Sequence, residues 1–113
     1  MSLKPRALLS KSVKDLVQEM ENGQLILSKN TGIWSKKDAK QFIKSIIDQQ
    51  IPEKMTFKRQ TQRLCCYEGI FQLQALRFFF KGNFPVDGKT YDDLSEAEKT
   101  TINEYQIPYL LLR

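Results

Sequence analysis

Segments with helical periodicity alternate along this chain with short segments that have the period of a strand. Apolar stripes or N-capping residues predict helices at residues 12–22, 35–49, 69–81 and 95–105. Alternating or short apolar runs predict strands at 24–28, 55–58, 63–68, 84–86 and 107–112. We therefore expect an α+β fold, with about four helices around a small mixed sheet. One domain spanning residues 1–113 is expected, with residues 1–11 flexible.

Local capping signals define most of the helix boundaries. Ser35 is followed by Asp38 in a sequence that resembles a capping box, and Ser95 is followed by Glu98 in a complete one. Ser10 or Ser12 can cap the first helix, and Gly23 is suited to end it in a left-handed conformation.

Residue usage excludes several kinds of chemistry. The chain has no histidine, which removes Ser-His-Asp and Cys-His catalysis. Cys65 and Cys66 are adjacent on a predicted strand, so we expect opposite orientations, with one thiol buried and the other half-exposed. Two reduced thiols are typical of a cytoplasmic protein. No apolar run reaches the ~20 residues of a membrane helix, so no membrane partner is expected.

Basic residues are concentrated in the first part of the chain. Residues 1–63 contain 13 Lys and Arg against 6 Asp and Glu, whereas the remainder is mildly acidic. This asymmetry favours DNA or RNA as a partner, and a protein partner or a merely solvated basic face is the alternative. The candidate phosphate-binding residues are Lys29, Lys36, Lys37, Lys40, Lys58, Arg59 and Arg63.

Several short motifs occur in an order that resembles a known family. They are Asn22-Gly23, Ile33-Trp34-Ser35, Ile51-Pro52, Tyr67-Glu68-Gly69 and Tyr105-Gln106-Ile107-Pro108. In this order the chain resembles the N-terminal domain of the GmrSD-type modification-dependent restriction family. The resemblance implies a ParB/sulfiredoxin-like fold and a restriction, defence or mobile-element context.

The same resemblance implies where a nucleotide site would lie. The family's Gln-Arg pair falls near Lys29 and Asn30, and its Asp-Gly-Gln-Gln-Arg motif aligns with residues 68–72, including Glu68, Gly69 and Gln72. Ile70 and Phe71 replace polar residues of that motif, and Gln72 stands at the position of the arginine. The guanidinium that would bind a phosphate is therefore lost, and we expect Glu68 to cap the following helix rather than to act in catalysis.

These substitutions favour a non-catalytic ParB-like domain that binds nucleic acid or a partner protein, without cofactor or metal. Two alternatives remain. One is an NTP-hydrolysing or DNA-nicking domain that uses Glu68 with Mg²⁺ and a nucleotide. The other is one half of a split restriction effector.

Overall fold

The computed structural model of the protein describes residues 7–28 and 35–112. In these ranges it has one mixed sheet, formed by β1 (Ala7–Ser12), β2 (Leu25–Leu27), β3 (Met55–Gln60), β4 (Arg63–Glu68) and β5 (Gln106–Leu112). The strand order is β1-β5-β3-β4-β2. The pairs β1–β5 and β3–β4 are antiparallel, whereas β3–β5 and β2–β4 are parallel.

Four α-helices are described: α1 (Val13–Glu21), α2 (Lys36–Ile47), α3 (Ile70–Phe80) and α4 (Glu96–Glu104). A short 3₁₀ helix at Tyr91–Asp93 precedes α4. The α+β prediction of four helices around a small mixed sheet is confirmed. None of the helices in the described ranges is both long enough and apolar enough to cross a bilayer.

The predicted helix caps form as the sequence indicates. The Ser12, Ser35 and Ser95 side chains accept hydrogen bonds from backbone N–H groups three residues later. The Glu98 side chain completes the box by accepting from the Ser95 N–H. Because each cap involves only neighbouring residues, its sequence signal is sufficient to predict it.

The core lies between the helices and one face of the sheet. Phe57, Cys66 and Tyr109 lie on this face, and the first two are completely buried. Their rings and thiol join buried residues of all four helices in one cluster. Phe57 also stacks on Tyr109 across the β3–β5 pair, with ring centroids 4.7 Å apart. The burial of this face fixes the strand register, because a one-residue slip would expose these side chains.

Two segments differ from the predictions. Residues 7–11, expected to be flexible, form most of β1 through pairing with β5. Residues 84–86, expected to be a strand, contribute only an isolated bridge between Val86 and Lys89, because the chain enters the 3₁₀ helix at Tyr91 and is no longer extended there.

Candidate functional site

The loop end of the β3–β4 hairpin extends beyond the neighbouring strands. In the described residues, pairing of β3 with β5 ends at Lys58, and pairing of β4 with β2 begins at Leu64. Residues between them pair only within the hairpin, where Gln60 faces Arg63. We call residues 58–63 the hairpin tip. The predicted strands at 55–58 and 63–68 leave residues 59–62 as the connection, but the observed turn contains only Thr61 and Gln62, with Thr61 at φ 58°.

The hairpin tip presents cations on both faces of the two-stranded ribbon. Lys58 and Arg63 lie on the sheet face away from the helices, and Arg59 lies on the opposite face, because successive strand side chains alternate. All six tip residues are exposed, and none is acidic.

The basic side chains of the tip have no acidic partners among the residues that the structure describes. Six other cations in the described part of the chain form ion pairs with carboxylates: Lys11, Lys44, Arg77, Lys81, Lys89 and Lys99. Among the described residues, none of the candidate phosphate-binding residues joins such a pair. Within the described ranges, no carboxylate therefore neutralises the charge of Lys58, Arg59 or Arg63.

Three other candidate phosphate-binding residues lie away from the hairpin tip. Lys36, Lys37 and Lys40 are exposed on the first turns of α2, in the helical layer rather than at the hairpin. The structure thus separates these three lysines from the basic residues of the hairpin tip. Lys29 and Asn30 lie outside the described residues.

Three residues of the implied nucleotide site do lie together. Glu68, Gly69 and Gln72 line one open concavity of about 450 Å³, together with Glu53 and Lys54. Phe71 does not line this concavity. Among the described residues, two carboxylates and one cation line the concavity, a balance that disfavours a polyphosphate.

Glu68 does not cap α3, contrary to the sequence interpretation. The N-cap is Gly69, which has no side-chain cap, and the Glu68 carboxylate instead accepts a hydrogen bond from the Thr56 hydroxyl group. Glu68 is the last residue of β4 and faces Thr56 across the hairpin, so its side chain points along the sheet surface rather than over the helix end.

Gly69 is required where the chain passes from β4 into α3. Its φ of 113° is rarely adopted by residues with a Cβ atom. A Cβ atom at this position would lie 2.6 Å from the Cγ atom of Met55, a side chain that is 2% exposed. This close approach joins the helix to the start of β3.

The two cysteines are free and both buried, so the expected half-exposed thiol is not observed. They do lie on opposite faces of β4. On the face away from the helices, the amide of Gln60 donates to the Tyr67 hydroxyl group at 2.8 Å, and this contact spans the Lys58–Cys65 pair. Tyr67 is placed for it by a bulge at the end of the β3–β4 ladder.

Burial raises the pKa of the Cys66 thiol to about 12, with smaller contributions from Cys65 and Glu68. The neutral thiol is therefore stable and unreactive at physiological pH. Among the described residues, no group of three or more Cys, Asp and Glu side chains is arranged to hold a metal ion.

Sequence reasoning missed Glu53, Lys54 and Thr56 as neighbours of Glu68. Glu53 and Lys54 precede β3, and Thr56 is its second residue. The pairing of β3 with β4 brings them to the end of β4. The sequence predicted both strands of the hairpin, but not the register that places Thr56 opposite Glu68.

Comparisons with protein-family models, curated proteins and solved structures find no match for this chain. The resemblance to the restriction family therefore stays a prediction.

Proposed function

We propose that the chain is a non-catalytic domain that binds nucleic acid through the hairpin tip. The observation that supports this proposal most directly is that Lys58, Arg59 and Arg63 have no acidic partner among the described residues, whereas six other cations in those ranges form ion pairs. Unneutralised cations attract a phosphate backbone and release its condensed counterions on binding.

The shape of the tip is suited to this ligand. A two-stranded ribbon is narrow enough to enter the major groove of duplex DNA. With Lys58 and Arg63 on one face and Arg59 on the other, the ribbon can contact the phosphates on both sides of a groove. Phosphate contacts carry no sequence information, so we expect little sequence specificity.

The surroundings of Glu68 favour a binding role over catalysis. Its carboxylate is engaged by Thr56, and a second carboxylate, Glu53, lines the same concavity. Gln72 cannot supply the charge of a guanidinium to a transferring phosphoryl group. An NTP-hydrolysing or DNA-nicking domain, and one half of a split effector, remain the alternative functions.

The proposed setting is the cytoplasm, in a restriction, defence or mobile-element context. The two buried reduced thiols support a reducing compartment. The biological context rests on the order of family-like motifs alone.

Fluorescence anisotropy with a labelled duplex DNA tests the proposal. The triple variant K58A/R59A/R63A is compared with K36A/K37A/K40A, which changes the net charge equally but leaves the tip intact. We expect the wild type to bind at low salt and the tip variant to lose about tenfold or more in affinity, against about threefold or less for the control. Equal losses would assign binding to net charge, and no wild-type binding at tens of micromolar would contradict the proposal.

A further inference from the structure

A second concavity lies on the helical side of the molecule, away from the hairpin tip. It occupies about 370 Å³ between α2, the loop at residues 50–53 and the start of β5. Met55 and Ile107, each 2% exposed, form part of its wall. We call it the α2 cleft. None of its lining residues belongs to the hairpin tip.

The loop that borders the α2 cleft is held in place at the end of α2. Gln49 adopts a left-handed conformation at φ 54°, and the Gln50 N–H donates to the Ser45 carbonyl at 2.9 Å. The Tyr105 hydroxyl group donates to the Gln50 carbonyl. The end of α2 and the C-cap residue of α4 thereby fix the same loop residue from two sides.

This arrangement projects an apolar side chain into solvent. Ile51 follows the fixed Gln50, precedes Pro52 and is 95% exposed, the highest value among the exposed large apolar residues described. A side chain of this kind gains nothing from folding, and its position beside the α2 cleft makes it available for contact with an occupant. Ile51 and Pro52 provide an apolar border beside the buried wall.

The α2 cleft carries negative charge in a protein with a net charge of +5. Asp38 and Glu53 line it, and none of the described residues that line it is basic. Neither carboxylate forms an ion pair with a residue in the described ranges, although five other acidic residues do. The charge of the cleft is complementary to a cation, and its wall to an apolar group.

We propose that the α2 cleft binds a segment of a partner protein that presents a lysine or arginine beside an apolar side chain. The apolar group packs between Ile51 and the buried wall, while the cation lies between Asp38 and Glu53. The cleft shares no lining residue with the hairpin tip and is opposite to it in charge. This interaction is therefore independent of the proposed nucleic-acid binding and can occur at the same time.

Degenerate pentapeptide libraries with capped ends test the proposal. Each has apolar residues at the flanking positions and a fixed central Arg, Glu or Gln. Titration into ¹⁵N-labelled protein, followed by NMR, is expected to show binding of the Arg library in the millimolar range or tighter. The shifted amides should be those of Ser45, Gln50, Ile51 and Tyr105.

Two variants distinguish the apolar contact from the charge contact. Ile51→Ser should weaken binding of the Arg library about threefold or more, and its exposure makes an effect on folding small. D38N/E53Q should weaken binding of the Arg library by a similar factor and reduce the protein's preference for the Arg library over the Gln library. Asp48→Asn removes an exposed acid that does not line the cleft and should leave binding unchanged.

Several outcomes would overturn the proposal. They are no shifts at the cleft at about 5 mM peptide, equal binding of the Arg and Glu libraries, and insensitivity to both cleft variants. Self-association of the free protein that Ile51→Ser abolishes would assign the cleft to a second copy of this chain instead.

Discussion

The hydroxyl group of Thr56 donates a hydrogen bond to the Glu68 carboxylate across the β3–β4 pair. Thr56 is the one buried polar residue in the described part of the chain, at 7% exposure. The bond joins the beginning of the hairpin to the strand end that precedes α3, and it gives Glu68 a structural partner.

This pair should contribute to stability as a unit. Thr56→Val and Glu68→Ala should each lower the free energy of unfolding by about 1 kcal/mol, because each removes the same hydrogen bond. Urea denaturation of both single variants and the double variant measures the coupling. Strictly additive losses would show that the two side chains do not depend on each other.

Gly69→Ala should be strongly destabilising. The substitution forces an unfavourable φ and places a methyl group against the buried Met55, so we expect a loss of about 2–4 kcal/mol in unfolding free energy. Gly82→Ala is the matched control, since Gly82 also has a positive φ, 78°, but no atom within 4 Å of the added Cβ. The unfolding free energy of the Gly82→Ala control should fall by only about 1 kcal/mol. Equal losses in chemical denaturation would contradict the close packing at Gly69.

Stability should decrease in the alkaline range through Cys66. The folded-state pKa of its thiol is raised to about 12 from an ordinary value of 9.0, so the folded protein retains the proton longer than the unfolded chain. The contribution is fully present below pH 9.0 and is lost as the pH rises from there towards about 12. The slope is at most about 1.4 kcal/mol per pH unit.

Comparison with Cys66→Ala isolates this contribution, because other groups titrate in the same range. Unfolding free energies at a series of pH values should fall less steeply for the variant than for the wild type. In the native protein at pH 8, both thiols should also react with a thiol reagent far more slowly than in urea. Parallel pH profiles, or fast native labelling of Cys66, would contradict its burial.

Turnover of ATP or GTP with Mg²⁺ should be negligible. Gln72 provides no cation, and loss of one electrostatic contact to a transferring group commonly costs about a hundredfold or more in rate. A phosphate-release assay over several hours measures this. Steady hydrolysis that Glu68→Gln abolishes would support the catalytic alternative instead.

The helices were predictable because their signals are local. Ser12, Ser35 and Ser95 each cap a helix through an N–H group three residues away. β1 gave no such signal, since it exists through pairing of Ala7 with Leu111 at the other end of the chain. The same limit hid the burial of Cys65, which lies on β4 between β3 and β2 and is 3% exposed.

In the candidate sites too, local features were predictable from the sequence and features that depend on long-range packing were not. The basic residues of the hairpin tip were identifiable from charge alone, but their separation from Lys36, Lys37 and Lys40 depends on the topology. The α2 cleft had no sequence signal beyond Ile51 before Pro52, because its two carboxylates are brought together by packing of α2 against the loop that follows it.

The salt dependence of DNA binding tests the central claim most directly. If Lys58, Arg59 and Arg63 each neutralise a phosphate, K58A/R59A/R63A should reduce the log–log salt slope by about 2–3, at about 0.9 per phosphate on duplex DNA. The K36A/K37A/K40A control should keep the wild-type slope within about 1. An unchanged slope in the tip variant would contradict binding through the hairpin tip.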